Sequence, residues 1–399
     1  MQELKKIIDK LNSKKIIEYL EKIISIPSPT GYTEKIKNYL IDFAKTNNIS
    51  YKITNKGAVV FIFGNFNKNC EKYFEKKDDQ IEKEHKFVYE DRDSSKNNNR
   101  GICFAAHIDT LGLMVKSISD DVIKVEPING IPAVYAIGDY VIIEASDGFQ
   151  YNATILPKDP AAHVNKKIHE ITPKYEELFL RIDHKFLENE NIKDHINIGD
   201  YVFLDPKFKY IDGFVKSRFL DDKASCSIFL HIAEILKDIQ NKGNLTFVKP
   251  IYMYFNITEE TGQGISNLPD IDELYIVDMG VVGDEVNGNE YSVSICQMDS
   301  SGPYNFELTK KLEILAKKND IKYVKDIFPY YGSDGSSALR AGLDVKVALF
   351  GVGVSASHGY ERTHEIGLLN TAKLMSSIIE EVISWNLYLY FEKVYLFEN

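Results

Sequence analysis

FLDDKASCSIFLHIAEILKDIQNKGNLTFVKPIYMYFNITEETGQG, residues 219–264, decides how this chain folds. Its first half places apolar residues at helical spacing behind an acidic pair, Asp221-Asp222. Its second half, KPIYMYFNIT, is an almost continuous apolar run, as expected of a strand covered on both faces. A helix feeding such a strand implies an α/β fold, with a mostly parallel sheet sandwiched by helices. The same texture continues on both sides. GICFAAHIDTLG (101–112), ELYIVDMG (273–280) and DVKVALFGVG (344–353) read as further buried strands. LTKKLEILAKKN (308–319) and LLNTAKLMSSIIEEVISWN (368–386) read as helices, the latter closing the domain.

Upstream, a first helix is expected from about Glu3 to Ile24, stopped by the prolines and glycine of IPSPTG. A second follows from Thr33 to Thr46, then two strands, SYKITN and GAVVFIFG. Residues 65–100 are densely charged and polar, and read as a surface insertion. Between 117 and 212 the pattern changes to short alternating runs broken by turns, such as VIKVEPING, DYVIIEASDGFQYNATIL and GDYVFLD. That is a small β-barrel module inserted into the α/β domain. The expected division is therefore residues 1–116 and 213–399 for the catalytic domain and 117–212 for the insert.

A length of 399 residues calls for two or three domains. The net charge of −11, from 48 basic and 59 acidic residues, excludes the basic face that nucleic acid or an anionic membrane would need. The N-terminal segment lacks the apolar core of a secretory signal, and no run reaches membrane-spanning length. Cys70, Cys103, Cys226 and Cys296 lie far apart with no CxxC pair. Neither a disulfide framework nor a thiolate zinc site is implied, and a cytoplasmic setting is expected.

Five positions carrying imidazole or carboxylate fall at the ends of apolar runs, in a fixed order: His107, Asp221, Glu259-Glu260, Asp278, and a histidine of SHGYERTH. Each has an ordinary explanation when taken alone. His107 and Asp109, two apart, point the same way from a strand end; Asp109 can orient the imidazole, ligate, or simply turn the chain. Asp221-Asp222 can cap a helix, and Thr258 can cap a short helix with both glutamates in its first turn. Asp278 can close a turn, and His358 or His364 can be a solvated loop residue. Together, however, they form the inventory that two adjacent divalent ions need: a bridging carboxylate, terminal ligands, and a spare carboxylate for proton transfer. Such groups converge at the carboxyl edge of an α/β sheet.

These motifs, with PSPTGYTEKIKNYL, the GDYV-type β segments and YYGSDGSSAL, resemble the glutamyl, or deblocking, aminopeptidase family over nearly the whole chain. The resemblance implies two divalent ions per subunit, zinc or cobalt, and removal of N-terminal residues from peptides with a free amino terminus. It makes Asp221 the bridging ligand, His107 and Asp278 the terminal ligands of one ion, and Glu260 with the late histidine those of the other. His358 fits that place by its distance to TAKLM and by the trailing Glu361, with His364 as the alternative. Glu259 becomes the general base and Asp109 the orienter of His107. SDGSSALRAG becomes a turn and helix start lining the pocket. The barrel becomes a dimerisation or lid domain, and the chain a homo-oligomer, up to a dodecamer. Thr110 stands where the family carries an acidic residue, residues 65–100 have no family counterpart, and the interval from Gly353 to His358 is short. The rival readings are a dipeptidase, carboxypeptidase or N-deacylase on the same scaffold, an inactive metal-binding scaffold, and a polysaccharide-cleaving enzyme. The last would have no need of His107 or a late histidine.

Overall fold

The computed structural model describes residues 7–64, 100–119, 122–170, 172–242 and 245–385. The expected surface insertion, apart from Arg100, and residues 386–399 lie outside the described residues.

Four strands form the parallel centre of a larger mixed sheet, in the order Ile251–Asn256, Gly101–His107, Ile271–Val277 and Lys346–Ser355. The first two are buried at every position, which is why their sequences show no alternation. Antiparallel strands extend this centre: Val59–Phe63 and Ser50–Ile53 on one side, Glu361–His364 and Phe214–Ser217 on the other. The sheet is therefore parallel where it carries the site and antiparallel at its flanks. Helices Ser13–Ile24, Glu34–Thr46, Leu220–Asn241, Phe306–Lys318 and Glu365–Glu381 share one large apolar core with one face of it. The other face is covered by a smaller core that includes Ile265, Phe328 and Ala338.

Two boundaries differ from expectation. The first helix begins at Ser13, because Asn12 turns extended and its side chain accepts from the amides of Lys14 and Lys15. Only a short 3-10 turn, Ile8–Lys10, precedes it among the described residues. The closing helix ends at Glu381, and Ile383–Trp385 becomes a strand paired with Leu245–Phe247. A β-branched residue at 383 suits that pairing better than a helix end.

The chain leaves the sheet after His107, enters a closed six-stranded barrel at Gly112, and completes it with Tyr201–Leu204. Alternate residues fill the barrel, among them Leu113, Val115, Ile123, Val125, Val141, Ile143, Val202 and Leu204. A hairpin, Lys209–Ile211 with Phe214–Ser217, then returns the chain to the long helix at Leu220.

The strands at the site edge approach closely at Gly351. A β-carbon there would stand 1.9 Å from the carbonyl oxygen of Asp278, so only glycine fits. Gly351→Ala is expected to cost about 1–3 kcal/mol by forcing the strands apart. An unchanged urea midpoint for this variant would contradict the close approach.

Candidate metal centre

Each parallel strand delivers one group to the same edge. His107 ends its strand, Glu259 and Glu260 follow Asn256, Asp278 follows Val277, and His358 follows Ser355. The run after Asn256 is a tight turn rather than the short helix that a Thr258 cap would begin. The Gly262 amide donates to the Glu259 carbonyl at 2.6 Å. Asp221 arrives from the other direction, at the start of Leu220–Asn241, where its backbone and that of Asp222 depart from helical geometry.

Asp221 stands between the two histidines. Its Oδ1 lies 3.0 Å from His107 Nε2, and its Oδ2 lies 3.7 Å from His358 Nε2. On the first side, Glu259 Oε2 is 3.7 Å from His107 Nε2. On the second, Glu260 Oε2 is 3.9 Å from His358 Nε2. His107, Asp222 and Asp278 also bring donor atoms within 4.8 Å of one another. Asp222, which the sequence presents only as a helix-start acid, is fully buried and accepts from the His107 amide at 3.3 Å. It lies beneath the centre, whereas Asp221 faces the cavity.

His364, the alternative late histidine, is elsewhere. It caps helix Glu365–Glu381, with Nδ1 3.1 Å from the Ile366 amide, and packs against Phe214 and Tyr291.

Two buried carboxylates fix the backbone that carries these groups. Asp109 accepts from the Glu259 and Glu260 amides, both at 3.2 Å, and from the Thr30 hydroxyl at 2.6 Å. Its contact with His107 is made chiefly through its own carbonyl, 3.1 Å from Nδ1; its carboxylate is 3.6 Å away. Glu361 accepts from the amides of His358, Leu220 and Asp221 at 3.1, 2.6 and 3.1 Å. A single side chain thus ties the two loops that carry Asp221 and His358. A third acid, Asp334, takes the Asn256 side-chain amide at 2.7 Å, at the base of the Glu259-Glu260 turn. It begins helix Asp334–Arg340, which Ser333 caps. The cap motif is visible in sequence, but the reach of Asp334 across to Asn256 is not.

The electrostatics call for cations. Asp109, Asp221, Asp222, Glu260, Asp278, Asp334 and Glu361 are all buried within this small region. Burial, and then repulsion from Asp221, lifts Asp278 to about 6. Burial likewise drives Asp222, Glu259, Glu260 and Glu361 well above the usual carboxylate range. For His107, burial pulls downward but is outweighed by the charge of Glu259 and the bonds to Asp109 and Asp221, so its affinity for protons is high. Carboxylates crowded away from water need protons or metal ions to offset their repulsion. The donor set, imidazoles and carboxylates at one sheet edge, suits divalent metals.

Two recesses open beside the centre. The smaller, about 250 Å³, runs from Glu259, Glu260 and Asp278 to Arg340 on the rim. The larger, about 800 Å³, begins at Asp221 and His358 and is walled by Met279, Val281, Val286, Ile327 and Phe328. Asp284 and Glu285 also line it, and among the described residues its lining includes no lysine or arginine.

The chain is 35% identical to YhfE of Bacillus subtilis over 367 residues, which span 91% of this chain and 96% of that protein. Its fold is similar to that of PhTET1-12s, a dodecamer, at 20% identity and a TM-score of 0.72, covering 91% and 98% of the two chains. It is equally similar to the TET1 peptidase of Pyrococcus horikoshii, at 19% identity and a TM-score of 0.72, covering 91% and 99%. That peptidase assembles into a tetrahedron or a large octahedral shell. Residues 89–374 match the sequence profile of the M42 glutamyl aminopeptidases. With that match and the Bacillus relative, the chain belongs to the M42 glutamyl aminopeptidase family, whose members are metal-dependent hydrolases of peptide bonds.

Proposed function

We propose that this protein is a two-metal aminopeptidase in which Asp221 would contribute a ligand to both ions. The observation that carries this reading is the placement of one carboxylate with an oxygen toward each of two histidines. His107 and Asp278 would hold one ion, and Glu260 and His358 the other. Bound zinc or cobalt would supply charge that polarises the scissile carbonyl and lowers the pKa of the attacking water toward about 7.

The chain's own residues do the rest. Glu259 lines the cavity beside His107 and takes the proton of the attacking water, then returns it to the departing amine. The surplus of carboxylates receives the substrate's terminal ammonium. Asp109 and Glu361 hold the Glu259-Glu260 turn and the His358 loop so that these groups meet in one geometry. The larger recess receives the N-terminal side chain. Its apolar walls favour leucine, methionine or phenylalanine, and Asp284 with Glu285 disfavours an acidic side chain there.

Residues 117–212 serve as the dimerisation module of a homo-oligomer, for which a dodecamer is the reading the relatives suggest. Val134, Phe149, Val164 and Ile198 of that module expose apolar side chains that an assembly contact would cover. Buried free thiols at Cys103, Cys226 and Cys296 suit a reducing cytoplasm. Among the described residues no helix is long and apolar enough to cross a membrane.

Aminoacyl chromogenic substrates test the central reading. Leucyl and phenylalanyl derivatives should be cleaved faster than glutamyl ones, N-blocked controls should resist, and a chelator should abolish turnover that added Zn²⁺ or Co²⁺ restores. Cleavage of N-blocked substrates at equal rates would favour an N-deacylase or carboxypeptidase instead. Glu259→Gln should lower kcat by at least about 10²-fold, with metal content unchanged by elemental analysis. Near-wild-type turnover would remove Glu259 from the mechanism. Light scattering of the full chain should give a mass near twelve subunits; a monomer would remove the assembly reading.

A further inference from the structure

We propose that the inserted barrel is a working part of its own subunit's metal centre, with Asp139, Arg218 and Tyr360 as positioning residues for His358 and Asp221. This rests on the assignment of those two residues as ligands.

The observations begin at the imidazole. His358 Nδ1 lies 3.1 Å from the carbonyl oxygen of Gly130, which belongs to the segment between two barrel strands. That contact places the proton on Nδ1 and leaves Nε2 free toward Asp221 and Glu260. Glu361 holds the backbone of this loop through the His358 amide, and the Gly130 contact is the one made to the ring Nδ1.

A charged latch joins the same two segments. Asp139 of the barrel is wholly buried, and its Oδ2 accepts from Arg218 Nε and Nη2 at 3.1 and 2.6 Å. Lys207 Nζ reaches Oδ1 at 2.6 Å. Arg218 Nη2 also donates to the Tyr135 carbonyl, so the guanidinium grips the barrel segment at two places. Its flat face covers the ring of Tyr360 at 4.2 Å, and Lys207 donates to the Tyr360 hydroxyl at 2.9 Å. Tyr135 meets Tyr360 edge-on at 6.3 Å. Between them, Gly359 leaves no room for a side chain, because a β-carbon would come within 2.9 Å of the Tyr135 ring.

The spacing gives the latch its consequence. Arg218 precedes Asp221 by three residues, and Tyr360 follows His358 by two. A buried ion pair is worth little as general stabilisation, yet two donors converging on one oxygen fix geometry, and removing one partner leaves the other uncompensated. Here the geometry it fixes is the separation between the bridging carboxylate and the last imidazole. An ion pair serving only to dock the barrel would need neither the arginine so near Asp221 nor the stacked tyrosine so near His358.

The test uses the full-length apoprotein titrated with Zn²⁺ by calorimetry, alongside peptidase kinetics. Asp139→Asn and Tyr360→Leu should each weaken one of two bound zinc ions by about 10-fold or more, the usual effect of losing a group that orients a ligand. The other ion should bind as before, kcat should fall with KM little changed, and excess zinc should restore kcat. Leu315→Ala, in the large core on helix Phe306–Lys318 and outside the barrel, is the control for lost stability. It should lower the melting temperature and leave both affinities alone. Should Asp139→Asn fail to fold, Tyr360→Leu still reports, because the Asp139–Arg218 pair remains. Wild-type affinity for both ions in the variants would overturn the proposal, as would an equal loss in Leu315→Ala. A wild-type protein that binds no zinc would instead overturn the two-metal reading, and this inference with it.

Discussion

Mutual repulsion among buried carboxylates is the constraint around which this molecule is organised. Seven acids are taken out of water within one small region, accompanied by His107 and the half-exposed His358. Left to themselves, such groups take up protons, and the upward displacement of Asp278, Glu259 and Glu260 expresses that tendency. Asp221 alone is held low, and although burial opposes this, the bond to His107 outweighs it. A site that stays folded with this charge excess is built for compensation by divalent ions. The stiff sheet edge keeps the acids from relaxing apart.

Not every acid in the cluster faces the cavity, and the division is instructive. Asp109 and Glu361 spend their lone pairs on backbone amides, those of Glu259, Glu260, His358, Leu220 and Asp221. Carboxylates satisfied in this way act as rigid struts, because each accepts from two or three donors across chain segments distant in sequence. Asp334 accepts instead from a side chain, the amide of Asn256. The groups facing the cavity, Asp221, Glu259, Glu260 and Asp278, retain open valence and are the ones available for chemistry.

Much of this was legible before the fold was known, and the reasons are local. Strands buried on both faces announce themselves as unbroken apolar runs, so GICFAAH and IYMYFN mark the sheet, and the residue after each run lands at its carboxyl edge. That rule alone singles out His107, the Glu259-Glu260 pair and Asp278. It works less well for His358, whose loop has no periodicity; proximity to Asp221 and the capping role of His364 distinguish the two histidines. What could not be read is whatever depends on contacts between remote segments. Glu361 reaching Leu220, Asp334 reaching Asn256 and Asp139 reaching Arg218 are separated by 141, 78 and 79 positions. Helix ends depend on remote segments in the same way. Ile383 continues a helical pattern in sequence, yet a partner strand at Leu245–Phe247 offers it ladder hydrogen bonds that the helix end cannot.

The position of the barrel within the chain follows from the same geometry. It interrupts the catalytic domain between His107-Asp109 and Asp221, so both of its connections pass within a few residues of the metal centre. Inserted here, it must be docked rigidly, since slack at either connection would move the centre by amounts that metal coordination does not tolerate. The Pro29–Thr110 bridge at the entry and the Arg218 grip at the exit provide that docking. The segment that interrupts the sheet is therefore also the one whose Gly130 carbonyl meets the His358 imidazole.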